Sequence, residues 1–296
     1  MTGTLKDIAK RSLPRPVIER AKRLKVARSI RQAQAALSKA VVDRSNDWLE
    51  DDEFPKLGRE FPIRRTVTTP GRVEQRNDAV GRAVSARLEE SERVVLEVGG
   101  GLGDTAWVLA EQGRSMTSLD LRQEICQGAR QAGVEGILGD ALDLPFDDNA
   151  FDAAYSIDAF EHIPDPGKAL AEMIRVVRPG GTVHLSFGPL YNSPWGLHAY
   201  REIGVPHCQH LWSKSQFSRH ICNPDSWGLN YLSIGAYRKA FAVSDRDVAL
   251  TEYREEGEYV GLDLICRHAS CFAKTSRDLS DFTVSKIVLT GTVHGH

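Results

Sequence analysis

The chain has 296 residues, of which 41% are hydrophobic and 26% are charged, as in an ordinary globular protein long enough to bury a full core. Its net charge of -2 excludes an overall electrostatic bias toward nucleic acid. The five cysteines form no CxxC pair, so a secreted disulfide framework is not expected. No apolar run reaches about eighteen residues, so a membrane span is not expected either. We therefore expect a cytoplasmic protein.

The first 75 residues are predicted to form a basic helical extension. Residues 1–44 carry twelve lysines and arginines against three acidic residues. Pro14 and Pro16 interrupt this segment, so we expect one or two helices, followed by a polar surface connection over 46–62. A solvated helix packed on the domain or on a second subunit is the favoured interpretation, and contact with an anionic membrane surface is the alternative. Nucleic acid is disfavoured because aromatic residues are not interleaved with the basic ones.

From residue 76 to 296 the sequence alternates short apolar strands with longer helical segments. This pattern predicts an α/β domain whose mostly parallel sheet is covered by helices on both faces. Five strands are expected first, at 94–98, 116–121, 136–140, 151–157 and 182–188. A lid or substrate insert rich in aromatic residues and histidines follows at 189–232. A helix at 233–243, a strand at 248–253, a helix at 258–274 and a strand at 282–294 then complete a seven-stranded sheet.

A glycine loop links the first predicted strand to the helix after it. In the segment VVLEVGGGLGDT, glycines let the backbone approach a ligand and leave amide groups free to face it. A dinucleotide fingerprint, G-x-G-x-x-G, would place its third glycine on Asp104, so that spacing does not fit. Glu97, at the strand end, would repel a pyrophosphate but attract the ammonium and sulfonium charges of S-adenosylmethionine.

The loop and its continuation resemble the class I S-adenosylmethionine-dependent methyltransferases, in the small-molecule branch that includes the quinone-type enzymes. The family's first motif, E/D-x-G-x-G-x-G, matches Glu97, Gly99, Gly101 and Gly103. Asp120 ends the second strand 21 residues after Gly99, where the family grips both ribose hydroxyls with a carboxylate. The resemblance covers residues 92–188 and implies a Rossmann-like class I methyltransferase fold with S-adenosyl-L-methionine as cofactor.

The resemblance also implies cofactor-binding positions beyond the loop. Asp140 and Ala141 match the adenine-edge position, and Ile157 and Asp158 match residues that line the pocket after the fourth strand. Single aspartates at strand ends are also common as helix caps or turn formers, but four features in register disfavour that interpretation. The cofactor-binding residues expected are Glu97, Gly99, Gly100, Gly101, Gly103, Asp120, Leu121, Asp140, Ala141, Ile157 and Asp158.

Histidines are the candidates for a catalytic base, because methyl transfer to a hydroxyl group benefits from proton removal. His210 is the first choice, since the segment VPHCQHLW around it has a weak similarity to a P-W-x-H-L-F segment of some bacterial methyltransferases. His162 is expected close to the methyl position, more as a pocket-lining residue than as a base. His207 and His210 also form an H-x-x-H pair, but no acidic partner with ligand spacing accompanies them and no metal is predicted.

The insert is also expected to recognise the acceptor. Its aromatic residues would supply a wall for a flat or sugar-like molecule, and ordinary lid packing is an equally good interpretation. The predicted substrate-binding residues are Tyr191, Trp195, His198, Tyr200 and Trp212.

These features together predict an S-adenosylmethionine-dependent O-methyltransferase acting on a small molecule, such as a secondary metabolite of natural product biosynthesis, a saccharide or a lipid-linked precursor. Methylation of carbon or nitrogen is the alternative in the same class, where a base matters less. A non-catalytic S-adenosylmethionine-binding regulatory protein is the alternative from another class, and the long histidine-rich insert disfavours it. An NAD-linked reductase is disfavoured by the glycine spacing and by Glu97. The sequence does not decide whether the chain forms a homo-oligomer.

Overall fold

The computed structural model describes residues 15–42, 48–63, 70–131, 133–199, 201–221, 228–242 and 248–294. Its centre is a seven-stranded sheet in the order β3-β2-β1-β4-β5-β7-β6, in which β7 runs antiparallel to both neighbours and β1 to β5 are parallel. This arrangement confirms the predicted mostly parallel, Rossmann-like fold. The strands are β1 Val94–Val98, β2 Ser115–Asp120, β3 Glu135–Leu138, β4 Phe151–Ile157, β5 Val177–Phe187, β6 Val248–Gly257 and β7 Val284–Val293.

Helices cover both faces of the sheet. The side chains of Val95 and Leu96, adjacent on β1, enter different hydrophobic cores because successive residues of a strand point to opposite faces. The core around Leu96 is closed by α6 and α9, and the core around Val95 is closed by α3, α4 and α5. The helices are α1 Arg15–Lys39, α2 Glu53–Glu60, α3 Pro70–Ser85, α4 Asp104–Glu111, α5 Gln123–Gln131, α6 Pro166–Val176, α7 Cys208–Leu211, α8 Lys214–Phe217, α9 Ile234–Ala242, α10 Leu262–Arg267, α11 Ala269–Ala273 and α12 Ser280–Thr283.

Several predicted elements have different bounds in the structure. The strands predicted at 94–98 and 151–157 match β1 and β4, whereas β5 begins five residues before the predicted 182 and β6 extends to Gly257. The single helix predicted at 258–274 is wrong, since α10 and α11 are separate. His268, between them, has a φ of -126°, which ends the first helix.

The N-terminal region differs from the predicted extension in two respects. The segment 46–62, expected to be a surface connection, contains α2, and Leu57 of that helix is buried. The predicted boundary near residue 75 falls inside α3, which is one continuous helix. α1 also runs without interruption from Arg15, and residues 1–14 lie outside the described part of the chain.

α1 has two unlike halves. Ala33 and Leu37 are fully buried against α10 and α11, whereas every residue from 19 to 28 is exposed. Membrane contact and self-association through this basic half stay predictions. Among the residues described, no helix is long and apolar enough to span a membrane.

A second hydrophobic core lies outside the sheet. It joins the buried half of α1, α2, the insert after β5 and the helices α10 to α12. Trp212 and Phe272 are fully buried at its centre. The insert at 189–232, predicted as a lid, is therefore anchored over much of its length in this second core.

Candidate active site

The carboxyl ends of the parallel strands bring the predicted cofactor residues to one edge of the sheet. The backbone N–H of Gly99, just after β1, donates to the carbonyl of Leu119 on β2 at 2.8 Å. The N–H of Gly101 donates to the Asp120 carboxylate at 3.3 Å. The loop after β1 and the acid at the end of β2 are thus held together, as their positions in the sequence implied.

The conformation of the loop requires glycine. Gly99, Gly101 and Gly103 have φ values of +70°, +59° and +75°, which residues with a Cβ atom rarely adopt. A Cβ on Gly99 would lie 2.5 Å from the side chain of Ala159, and one on Gly100 would clash with the Glu97 carboxylate. A Cβ on Gly101 would meet no atom within 4 Å, so the backbone there borders open space that a ligand can approach.

Glu97 lies beneath this loop. In the parallel register it is aligned with Ser118 on β2 and with Tyr155 on β4, and its two oxygens accept hydrogen bonds from them at 2.8 and 3.0 Å. Burial raises the pKa of Glu97 to about 7. The carboxylate is thus buried and hydrogen-bonded beneath the loop, and its attraction to the charges of the cofactor stays a prediction. Sequence reasoning missed Ser118 and Tyr155, although strand register could have found them.

The remaining predicted cofactor residues line the same edge. Leu121 is 69% exposed, while Ala141 is buried. Asp140 accepts a hydrogen bond from the N–H of Leu142 at 2.9 Å, which shapes the turn after β3. Ile157 is half-buried at the end of β4.

A helix from the N-terminal region closes over this edge. Arg76 of α3 forms an ion pair with Asp158 at 2.5 Å, and Asn77 donates to Asp104, at the start of α4, at 2.9 Å. Asp158 itself has a φ of +50°, an uncommon conformation for a residue other than glycine. No motif in the sequence pointed to Arg76 or Asn77.

Comparison with known proteins identifies the domain to which this edge belongs. A family model described as a methyltransferase domain matches residues 96–185, which hold Glu97, the glycine loop, Asp120 and Asp158. Residues 96–185 are a class I S-adenosylmethionine-dependent methyltransferase domain. S-adenosyl-L-methionine is the cofactor of this domain, and the resemblance stated from the sequence is confirmed.

Curated relatives match parts of the chain. An uncharacterized methyltransferase of Mycobacterium sp. (strain JLS) is 38% identical over 39% of this chain and 45% of its own length. The demethylmenaquinone methyltransferase of Renibacterium salmoninarum is 32% identical, over 52% and 66% respectively. A ubiquinone/menaquinone biosynthesis C-methyltransferase of Brucella canis is 31% identical, over 48% and 57%. The chain thus spans about half the length of the curated relatives it matches.

The geometry of the methyltransferase domain fits its cofactor. Open space borders Gly101, the Asp120 carboxylate lies beside it, and the exposed side chain of Leu121 offers an apolar surface at the same edge. The Asp120 carboxylate, which suits ribose hydroxyls, therefore lies next to the apolar surface of Leu121, which suits an adenine ring.

Two histidines lie beside the domain's Asp158. The rings of His162 and His198 are 5.4 Å apart and meet edge to face. The Nε2 atom of His198 is 2.9 Å from the carbonyl oxygen of Pro189, so it carries the proton and Nδ1 of the neutral ring holds a lone pair. Burial lowers the pKa of His198, which favours the neutral ring.

The other two histidines lie elsewhere, which corrects our choice of base. His207 and His210 are buried in the second core, where the His210 ring is 5.5 Å from Phe272 and 5.1 Å from Phe282. Burial lowers the pKa of His207 to about 4 and that of His210 to about 3. Because both histidine side chains are enclosed in this core, their positions do not favour a role as the base that contacts the acceptor. Within the described residues, no group of three or more histidine, cysteine, aspartate or glutamate side chains is arranged to hold a metal ion.

The predicted aromatic wall separates into two sets. Trp212 is fully buried, its ring 4.8 Å from Phe54, so its assignment to the acceptor site is wrong because it packs in the second core. Tyr191 is half-buried, and its ring is 4.6 Å from that of Tyr231, an exposed residue that sequence reasoning missed. Trp195 lines a cavity, and Tyr200 lies outside the described residues.

Proposed function

We propose that the protein transfers a methyl group from S-adenosylmethionine to a small-molecule acceptor. The observation that carries this proposal is the meeting of the glycine loop with the Asp120 carboxylate at one edge of the sheet. The names of the curated relatives, which are methyltransferases, support it further.

Each part of the edge has a role in this proposal. Asp120 would accept hydrogen bonds from the ribose hydroxyls, and the amide groups around Gly101 would face the amino-acid part of the cofactor. Leu121, Asp140 and Ala141 would border the adenine ring. Glu97 would act from beneath the loop, since its carboxylate is buried and accepts hydrogen bonds from Ser118 and Tyr155.

The transfer itself needs little covalent help from the protein. When bound, S-adenosylmethionine supplies a methyl group on a positively charged sulfur, whose departure as a neutral thioether is favourable. The protein's tasks are to position the acceptor, to exclude water and, for a hydroxyl acceptor, to remove a proton.

We favour oxygen as the acceptor atom, with His198 as the base. Its Nδ1 lone pair is available because Nε2 is committed to the carbonyl of Pro189. His162, 5.4 Å away, would complete the polar side of the acceptor position. This assignment replaces His210, whose surroundings in the second core are apolar.

Carbon methylation is the second candidate, and the printed name of the Brucella canis relative favours it. A carbon acceptor activated by its own hydroxyl substituents depends less on a protein base. Replacement of His198 should then leave most of the rate intact.

A methyl-transfer assay with radiolabelled S-adenosylmethionine tests the proposal. Phenols, hydroxy acids and hydroquinones serve as acceptors, and the Asp120→Ala variant serves as a control for cofactor-dependent background. We expect label in an organic product with the wild type, and a His198→Gln rate at least about tenfold lower if oxygen is methylated. Binding of S-adenosylmethionine without transfer to any acceptor would favour the non-catalytic alternative instead.

A further inference from the structure

A cavity of about 670 Å³ lies beside the histidine pair, at the end of β5 and the start of β7. Its size falls within the range of small-molecule sites. Phe61, Trp195 and Val260 give it apolar walls, and they come from the N-terminal region, the insert and the segment after β6. Three parts of the chain outside residues 96–185 therefore combine to form one pocket.

The cavity is next to the proposed acceptor position. Pro189 lines it, and the carbonyl of the same residue accepts the hydrogen bond from His198. Just before it, Ser186 on β5 accepts a hydrogen bond from the N–H of Asp158 at 2.9 Å. The segment from β5 to His198 thus connects the cavity wall with Asp158 at the edge where the cofactor residues lie.

Two acidic side chains line this cavity, and each has a partner. The Glu60 carboxylate binds both terminal nitrogens of Arg267, at 2.9 and 3.1 Å. The Glu258 carboxylate accepts the indole N–H of Trp195 at 2.8 Å, and burial raises its pKa. The charge of Glu60 is thus neutralised by Arg267, and the Glu258 carboxylate is held in place by Trp195, a residue of the cavity wall.

Lys286 supplies the only positive charge among the lining residues. It forms no ion pair within 4 Å with any residue that the structure describes. Its cross-strand partner on β6, Glu256, binds Arg254 at 3.0 Å instead. A second nearby acid, Glu161, is 2% exposed and interacts electrostatically with Lys286, but burial raises its pKa to about 8, which favours the uncharged form near neutral pH.

We propose that this cavity binds the methyl acceptor and that the acceptor is a flat apolar molecule carrying an anionic group, such as a carboxylate, which pairs with Lys286. The ring system would lie between Trp195 and Phe61, and its reactive end would point toward His198. That the bound molecule is the methyl acceptor rests on the proposed function. The anion site itself rests on the charges and walls of the cavity.

A pair of isosteric probes tests the charge requirement directly. 2-Naphthoate and 2-naphthamide have the same shape and differ in charge, and calorimetry measures their binding to the full chain without any methyl transfer. We expect the anion to bind at least about tenfold more tightly than the amide, because the ammonium of the half-buried Lys286 forms an ion pair only with the carboxylate, whereas the amide offers it a neutral acceptor. The Lys286→Gln variant should lose that preference, and Lys286→Arg should restore it.

Three results would overturn the proposal: equal affinity of the two probes for the wild type, an unchanged preference in Lys286→Gln, or no binding of either probe to folded protein. A Trp195→Leu variant adds a second arm, and both probes should bind it less tightly. Titration of the same variants with S-adenosylmethionine separates the two claims. If the anion binds as expected but S-adenosylmethionine does not, the proposed function fails and the anion site remains.

Discussion

The methyltransferase edge and the second core use the same residue types for opposite purposes. At the edge, Asp120 is partly exposed beside the open space at Gly101, and His198 is partly exposed beside Pro189, which lines the cavity. In the second core, His210 and Trp212 come from the same insert as His198, yet they are buried and surrounded by aromatic rings. Enclosure by the rest of the chain, rather than residue type, decides which side chains are free for chemistry.

Replacement of Trp212 should produce the largest single effect, and the effect should be a loss of folding stability rather than a loss of ligand binding. Truncation of this fully buried ring to alanine leaves a large cavity, so the free energy of unfolding of Trp212→Ala should fall by about 3–5 kcal/mol. Trp195→Ala, at the half-buried cavity wall, should lose only about 1 kcal/mol. Urea denaturation measures both, and equal losses would contradict the division of the aromatic residues into two sets.

Gly100→Ala should produce the largest effect at the edge. The added Cβ would clash with the carboxylate of Glu97 and the hydroxyl of Ser118, so the loop must move away from its binding position. We expect the affinity for S-adenosylmethionine to fall by at least about 100-fold, or about 2.7 kcal/mol.

Gly235→Ala is the matched control for that change. This glycine lies in α9 with no side-chain neighbour closer than 3.8 Å, so its variant should bind as the wild type does. An unchanged affinity in Gly100→Ala would mean that the loop does not hold the cofactor.

The prediction of the fold succeeded where a local pattern suffices. Apolar runs between turn residues determine β1 and β4, and the glycines with Asp120 determine the cofactor edge. His207, His210 and Trp212 were misjudged because burial in the second core depends on contacts with α1, α2 and α11, far away in the chain. Arg76 was missed for a related reason, since its partner Asp158 is 82 residues away.

The stability of the second core should depend on pH through His210. The pKa of His210 is near 3 in the folded protein and about 6.5 in an unfolded chain, so the unfolded state binds more protons between these values. The stabilisation is complete above pH 6.5 and is lost as the pH falls, by about 2 kcal/mol at pH 5.

His210→Gln provides the comparison for this effect. The amide can keep the hydrogen bond to the carbonyl of Asn192 and does not titrate, so the loss of stability between pH 7.5 and pH 5 should be about 2 kcal/mol smaller than in the wild type. Denaturant unfolding at the two pH values measures the difference. The same pH dependence in both proteins would place a solvated, titrating histidine at this position.

Arg76→Ala should have the smallest effect. The ion pair with Asp158 joins the N-terminal region to the cofactor edge, but the Arg76 side chain is 63% exposed, so solvent weakens the interaction. We expect the affinity for S-adenosylmethionine to change by less than about fivefold. A much larger loss would show that α3 belongs to the binding site itself.

Calorimetric titration with S-adenosylmethionine, S-adenosylhomocysteine and NADH, on the wild type and on Asp120→Ala, tests the central claim most directly. We predict that both adenosyl compounds bind the wild type, that NADH does not, and that the variant, confirmed to be folded by its unfolding transition, loses both. Failure of the folded wild type to bind either adenosyl compound, or undiminished binding by Asp120→Ala, would contradict the assignment of this edge as the cofactor site.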